Sequence, residues 1–104
     1  NTEEERLAQA TALVEALKNE SAPVFLAGDF NSLPNTPVMD MLAEQWQIIP
    51  KEGLQNTFPA NGPIKEIDYI LVRPKGSFEV LECRVIEEEL ASDHRPVLVV
   101  LRSR

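Results

Sequence analysis

Val24-Phe25-Leu26-Ala27-Gly28-Asp29-Phe30-Asn31 is the stretch on which the fold turns. Val24 to Ala27 is an unbroken apolar run, the pattern of a strand covered on both faces. Gly28 lets the backbone come close or take a φ that other residues resist. Asp29 and Asn31, two apart, point to the same side of an extended chain, and Phe30 to the other. A carboxylate and a carboxamide thus leave a hydrophobic strand together at its carboxyl end, where open α/β sheets bind ligands. By itself the stretch reads more simply as a strand and an Asx turn.

The segments around it fit an α/β (α+β) domain. Thr2-Glu3-Glu4-Glu5 is a capping box, and its acids suit the positive end of a helix dipole. Leu7, Ala10, Leu13, Val14 and Leu17 recur at helical spacing, predicting a helix over 6–18 with one apolar stripe. After the strand, Asn31 to Pro37 is a polar, proline-containing loop. Thr36-Pro37 starts a second helix over 37–46, with Val38, Met41, Leu42 and Trp46 inward. Ile48-Ile49-Pro50 reads as an irregular return. Ile64–Val72 is a strand placing Asp68, Ile70 and Val72 on one face and Ile67, Tyr69 and Leu71 on the other. Phe78–Glu88 is a further strand with Leu81, Cys83 and Val85 sharing a face. Val97–Leu101, wholly apolar, reads as central.

Composition narrows the function classes. The 104 residues suffice for one domain, with 43% hydrophobic and 26% charged residues. No apolar run approaches the ~18 residues of a membrane span. The net charge is −7, and residues 1–52 hold nine acids against three bases. No basic stripe follows a phosphate backbone, which counts against autonomous nucleic-acid binding. The single Cys83 has no disulfide partner within the chain and reads as a small core residue.

Three polar groups interrupt the apolar strands. Asp29 and Asn31 end one, Asp68 lies inside a second, and Asp93-His94 stands before a third. A carboxylate amid that much apolar surface costs several kcal/mol unless paired. Asp68 therefore needs a partner, and His94, the chain's one histidine, can supply a ring nitrogen. Such a pairing raises the imidazole pKa, and an imidazolium beside a phosphate stabilises developing negative charge. The oxygens of Asp93 suit Mg²⁺, and Asp29 could orient or deprotonate a water or act through a metal ion.

Gly28-Asp29-Phe30-Asn31, Ile67-Asp68-Tyr69-Ile70 and Ser92-Asp93-His94-Arg95-Pro96 resemble three ordered motifs of the endonuclease/exonuclease/phosphatase superfamily, with Thr57-Phe58-Pro59 fitting ahead of Asp68. That superfamily includes deoxyribonuclease I-like nucleases, abasic-site endonucleases, inositol polyphosphate 5-phosphatases and sphingomyelinases. The resemblance implies half of a four-layer α/β/β/α sandwich: one mainly antiparallel mixed sheet with two helices on its outer face. It implies a metal-dependent phosphodiesterase, phosphatase or nuclease using water as nucleophile, with Mg²⁺ (Mn²⁺ or Ca²⁺ as alternatives). Asp29 would activate the water or protonate the leaving group, and Asn31 would hold the phosphate. Asp68 would orient His94, His94 would contact the phosphoryl oxygens, and Asp93 with Asp29 would serve the metal.

Domains of this superfamily are more than twice as long, and their first half brings an early Asn, a metal-binding Glu and a further His, none of which this sequence contains. Residues 1–104 therefore correspond to the C-terminal half of such a domain, inactive alone. Substrates would be a phosphorylated small molecule, a lipid or nucleic acid, with small molecules and lipids favoured by the acidic balance. An uncovered apolar sheet face implies self-association in place of the missing N-terminal half. The competing reading is a non-catalytic binding or assembly domain that retains the fold.

Overall fold

A computed structural model describes residues 2–104. The first helix, α1 (Glu3–Leu17), begins as the sequence requires. The Thr2 hydroxyl accepts the Glu5 amide at 3.1 Å and the Glu5 carboxylate accepts the Thr2 amide at 3.2 Å. Two of the helix's orphan donors and its entry direction are thereby settled. Ala10 is buried, and Leu7, Val14 and Leu17 pack against the core beside it.

The strand β1 (Val24–Asp29) follows, then α2 (Pro37–Ala43), which starts with proline at its first turn and ends before Trp46. Trp46 is nevertheless fully buried, its amide reaching back to the Leu42 carbonyl at 2.9 Å. The return after α2 is more regular than expected: Gln47–Ile48 forms a short strand, β2. Then come β3 (Asp68–Arg73), β4 (Phe78–Val85) and β5 (Val97–Ser103).

The strands form two antiparallel sheets where one mixed sheet was expected. One runs β1-β3-β2, the other is the β4-β5 hairpin. The turn at 74–77 returns the chain into β4, so β4 takes its hydrogen bonds from β5. Two further expectations change. Val24–Ala27 is an edge strand, bonded to β3 on one side only, with Phe25 51% exposed. Val97–Leu101 is likewise bonded to β4 alone. Apolar runs were read as interior strands, but here they mark strands whose second face lacks a covering layer. In β4 the pairing slips between Val80 and Glu82. This bulge turns Leu81 outward and gives the inner face to Val80, Cys83 and Val85.

Side-chain alternation in β3 divides the interior. Tyr69 and Leu71 face the helices with Met39, Leu42 and Trp46, the main core. Ile70 and Val72 face the other way, with Cys83, Val80, Val97, Val99 and Phe78. In this second cluster only Ile49, Val72 and Cys83 are buried. The molecule is 22 Å through its thinnest dimension against 40 and 36 Å across. That depth accommodates one helix layer on one sheet layer, each about 10 Å thick.

Candidate active site

The carboxyl end of β1 pairs with the start of β3, setting Asp29 opposite Asp68. Asp68 begins its strand on the face away from the helices. Two donors meet its Oδ2: the Thr57 hydroxyl at 2.6 Å and His94 Nδ1 at 2.8 Å. The buried carboxylate thus has the partner the sequence demanded, and a second one. With Nδ1–H donating to Asp68, the other ring nitrogen points outward, and Nε2 lies 3.7 Å from Asp29 Oδ2. Phe58 packs against the imidazole at a 45° tilt, centroids 4.7 Å apart.

The bond to Asp68 is the largest influence on His94 and raises its pKa above the ordinary 6.5. The charges of Asp68, Asp29 and Asp93 raise it further, while burial opposes them. The site therefore favours imidazolium.

Asp29 is 45% exposed, against 16% for Asp68 and 26% for His94. The outermost carboxylate is the one free to meet a ligand, and the inner one is committed to the ring. The Asp29 Oδ1 accepts the Asn31 amide at 2.7 Å, closing an Asx turn in which Asn31 takes φ +49°. Asparagine tolerates that left-handed conformation better than most residues. The bland Asx-turn reading and the site reading thus describe the same atoms. Ser32 is buried behind the turn, its hydroxyl donating to the Phe30 carbonyl at 3.0 Å.

Asp93 stands apart. Among the described residues, Asp29, Asp68 and His94 present ligand atoms that all lie within 4.8 Å of one another, and Asp93 is not in that group. Its side chain meets the Ser92 hydroxyl at 3.3 Å, and its backbone carbonyl accepts the Ala60 amide at 2.7 Å. Arg95 completes this tie between loops: its amide donates to Thr57 O at 2.7 Å and its Nε to Ala60 O at 2.8 Å. The Asp93-His94-Arg95 segment is thereby locked onto the 57–60 loop, placing Thr57, His94 and Asp68 in register.

One supporting feature gave no sequence signal. The Lys51 ammonium, 1% exposed, pairs with Glu66 at 2.6 Å and sits 4.5 Å from the Tyr69 ring centroid. The Tyr69 hydroxyl lies 2.7 Å from Ser32 O and 2.9 Å from Glu66 O, one proton serving both. Burial, then the Glu66 and Asp68 charges, pushes this phenol far up, so it stays a donor. It fastens the loop after Asn31 to the approach to Asp68.

A sequence profile of the endonuclease/exonuclease/phosphatase family matches residues 1–94. The chain belongs to the endonuclease/exonuclease/phosphatase family. Solved structures share its fold. A functionally unknown protein from Enterococcus faecalis V583 is similar at a TM-score of 0.84 and 24% identity, over 99% of this chain and 46% of that one. An endonuclease/exonuclease/phosphatase from Bacteroides vulgatus matches at 0.80 and 23%, over 98% and 45%. A mannosyl-6-phosphatase from Bacteroides thetaiotaomicron VPI-5482 matches at 0.74 and 23%, over 96% and 46%. A search of curated proteins gives no significant match. The chain spans less than half the length of these solved structures. The half-sandwich expected from the sequence, two helices on antiparallel sheet, is the fold they share.

The family is generally hydrolytic on phosphoesters and typically metal-dependent. The donor chemistry here bears on where a metal can sit. Asp68 Oδ2 already accepts two hydrogen bonds, which suits orienting His94 better than ligating an ion. Asp29 and Asp93 keep more exposed oxygens, and Mg²⁺ takes one or two carboxylates plus water and substrate oxygens. Asp29, the exposed member of the Asp29–Asp68–His94 cluster, is therefore the residue present that fits part of a divalent-cation site.

Proposed function

We propose that this chain is the C-terminal half of a metal-dependent phosphoester hydrolase domain. The observation that carries the proposal is the Thr57–Asp68–His94 chain of hydrogen bonds, which aims the His94 ring at Asp29. With Nδ1 taken by Asp68, Nε2 points outward, 3.7 Å from Asp29 Oδ2. Asp68 holds the tautomer and favours the charge. His94 offers Nε2–H to a phosphoryl oxygen, worth most as negative charge develops there. Asn31, rigid in its turn, offers a carboxamide to the same phosphate. Asp29 orients and deprotonates the attacking water or protonates the departing oxygen. Asp29 would contribute to holding Mg²⁺, which would supply charge neutralisation and an acidified water when bound; Asp93, outside the Asp29 cluster, would not ligate the same ion directly. No covalent enzyme intermediate is needed.

Small phosphorylated molecules and lipids are favoured over nucleic acid, because the chain carries −7 and no basic stripe. The first half of the domain would bring the remaining metal ligands, so this chain alone has little activity and weak Mg²⁺ affinity. The half-exposed face of Phe25, Phe78, Val97 and Val99 would pack against that first half. Without it, a second copy covers the same face. The test is hydrolysis by the intact protein of DNA, bis-p-nitrophenyl phosphate and inositol phosphates, with and without Mg²⁺. Metal-dependent turnover of one of them is expected. Inactivity towards all three would favour a binding or assembly domain.

A further inference from the structure

The pairing of β1 with β3 runs one step past Asp29, to the bond from Phe30 N to Ile67 O at 2.9 Å. Beyond it the two chains part. Asn31 turns away in its left-handed conformation, and Glu66 leads back into the preceding loop. One side chain joins them there. Tyr69, 3% exposed, places its hydroxyl 2.7 Å from Ser32 O and 2.9 Å from Glu66 O. The bond to Ser32 crosses 37 residues of sequence.

The two anchors of this hydroxyl differ in rigidity. Glu66 is held by its 2.6 Å ion pair with the buried Lys51 ammonium, which also lies over the Tyr69 ring. Asp68, two residues on, is fixed by its pairing with β1 and by Thr57 and His94. The Asn31 side has less. Of residues 31–35 only Ser32 is buried. The local bonds, Asn31 N to Asp29 Oδ1 and Ser32 Oγ to Phe30 O, each span two residues, so they shape the turn without tying it to the rest of the fold. The Tyr69 hydroxyl supplies that tie.

We propose that Tyr69 is a positioning residue for the phosphoester reaction. Through Ser32 it fixes where Asn31 presents its carboxamide to the phosphate, and so how the Asn31 wall stands against the Asp68–His94 wall. The proposal rests on the phosphoester reading of that site. The Tyr69 ring lies on the helix side of β3, packed with Met39, Leu42 and Trp46, so its influence on a substrate passes through Asn31. A displacement of about 1 Å in a group that holds substrate can cost a reaction about 10²-fold, which makes a tie outside the chemistry matter to it.

Tyr69→Phe keeps the ring in the core and removes the donor, and circular dichroism verifies that it folds. In the chain itself, backbone NMR relaxation should place the Asn31 and Ser32 amides near the rigid order parameter of ~0.85 in wild type and below ~0.6 in the variant, with the Leu71 amide unmoved. A loss of global stability by itself moves neither. In the intact protein, kcat/KM towards the phosphoester it hydrolyses should fall about 10- to 10²-fold. Asn31→Gly permits the same left-handed turn and lacks the carboxamide. In that background Tyr69→Phe should cost less than about twofold, because the group it positions is gone. Leu42→Ala, a destabilised control in the same core, should keep the wild-type kcat/KM. Rigid Asn31 and Ser32 amides in Tyr69→Phe, or an equal cost in both backgrounds, would overturn the positioning role alone. A wild-type protein that turns over none of the phosphoesters would overturn the phosphoester reading, and the role with it.

Discussion

Replacing Asp68 by Asn keeps the shape of the side chain and removes its charge, and its consequences can be worked out in detail. Two donors, Thr57 and His94, share one oxygen of this largely buried carboxylate at 2.6 and 2.8 Å. Hydrogen bonds to charged groups contribute about 1.5–3 kcal/mol each. The amide oxygen can still accept from Thr57, so the loss falls on the His94 bond, about 1.5–3 kcal/mol when the ring is protonated. The sign with pH follows. The folded pKa of His94 is raised, chiefly by Asp68, above the unfolded 6.5. That stabilisation is complete below pH 6.5 and fades as pH rises through the folded pKa. The variant should therefore lose most stability relative to wild type in mild acid, the gap narrowing towards alkaline pH. Urea unfolding at a series of pH values measures it. Because His94 is the one histidine, its titration is a single unambiguous NMR curve, and the variant's midpoint should fall. A wild-type midpoint at or below 6.5, or one unmoved by Asp68→Asn, would refute the reasoning.

Other consequences can be checked with simple variants. Thr57→Val should cost about 1.5–3 kcal/mol in urea unfolding, since it removes the 2.6 Å bond to the Asp68 carboxylate and leaves its Oδ2 with His94 alone. Lys51→Met alone should destabilise by about 3–5 kcal/mol by leaving Glu66 without its cation, while adding Glu66→Leu should recover much of that loss; a single variant as stable as wild type would show that the pair is not desolvated. Leu42→Ala, at a site 1% exposed, should cost about 2–5 kcal/mol by thermal or urea unfolding. Light scattering should find the isolated chain associated at high concentration, and Phe25→Glu should disperse it; a wild-type monomer would remove the sheet-face association.

How far the sequence revealed this molecule depends on what kind of pattern each feature leaves. The capping box at Thr2–Glu5 and the Leu7–Leu17 stripe encode α1 locally, so the helix was legible. Asp68 was legible as a carboxylate in want of a partner because it breaks an apolar run, and His94 because it is alone. The meeting of Asp29 with Asp68 and His94 at the carboxyl end of β1 could be anticipated, but not the face its strand exposes. An apolar run says that a face is to be covered and not by what, so Val24–Ala27 and Val97–Leu101 were read as interior strands where the fold leaves edges. The bulge at Leu81 was invisible because alternation counts residues and a bulge adds one. Lys51 and Glu66 lie in loops without periodicity, fifteen residues apart, and only the folded chain brings them together.

The claim at the centre of this account is that Asp29 and His94 act together on a phosphoester. It is tested most directly by the hydrolysis rate of the intact protein, with Mg²⁺, in Asp29→Ala and His94→Ala forms whose folding is checked by circular dichroism. Each substitution should lower kcat by about 10²–10⁴-fold, with the double variant little slower than the worse single one. Retention of near wild-type turnover by either single variant would contradict it.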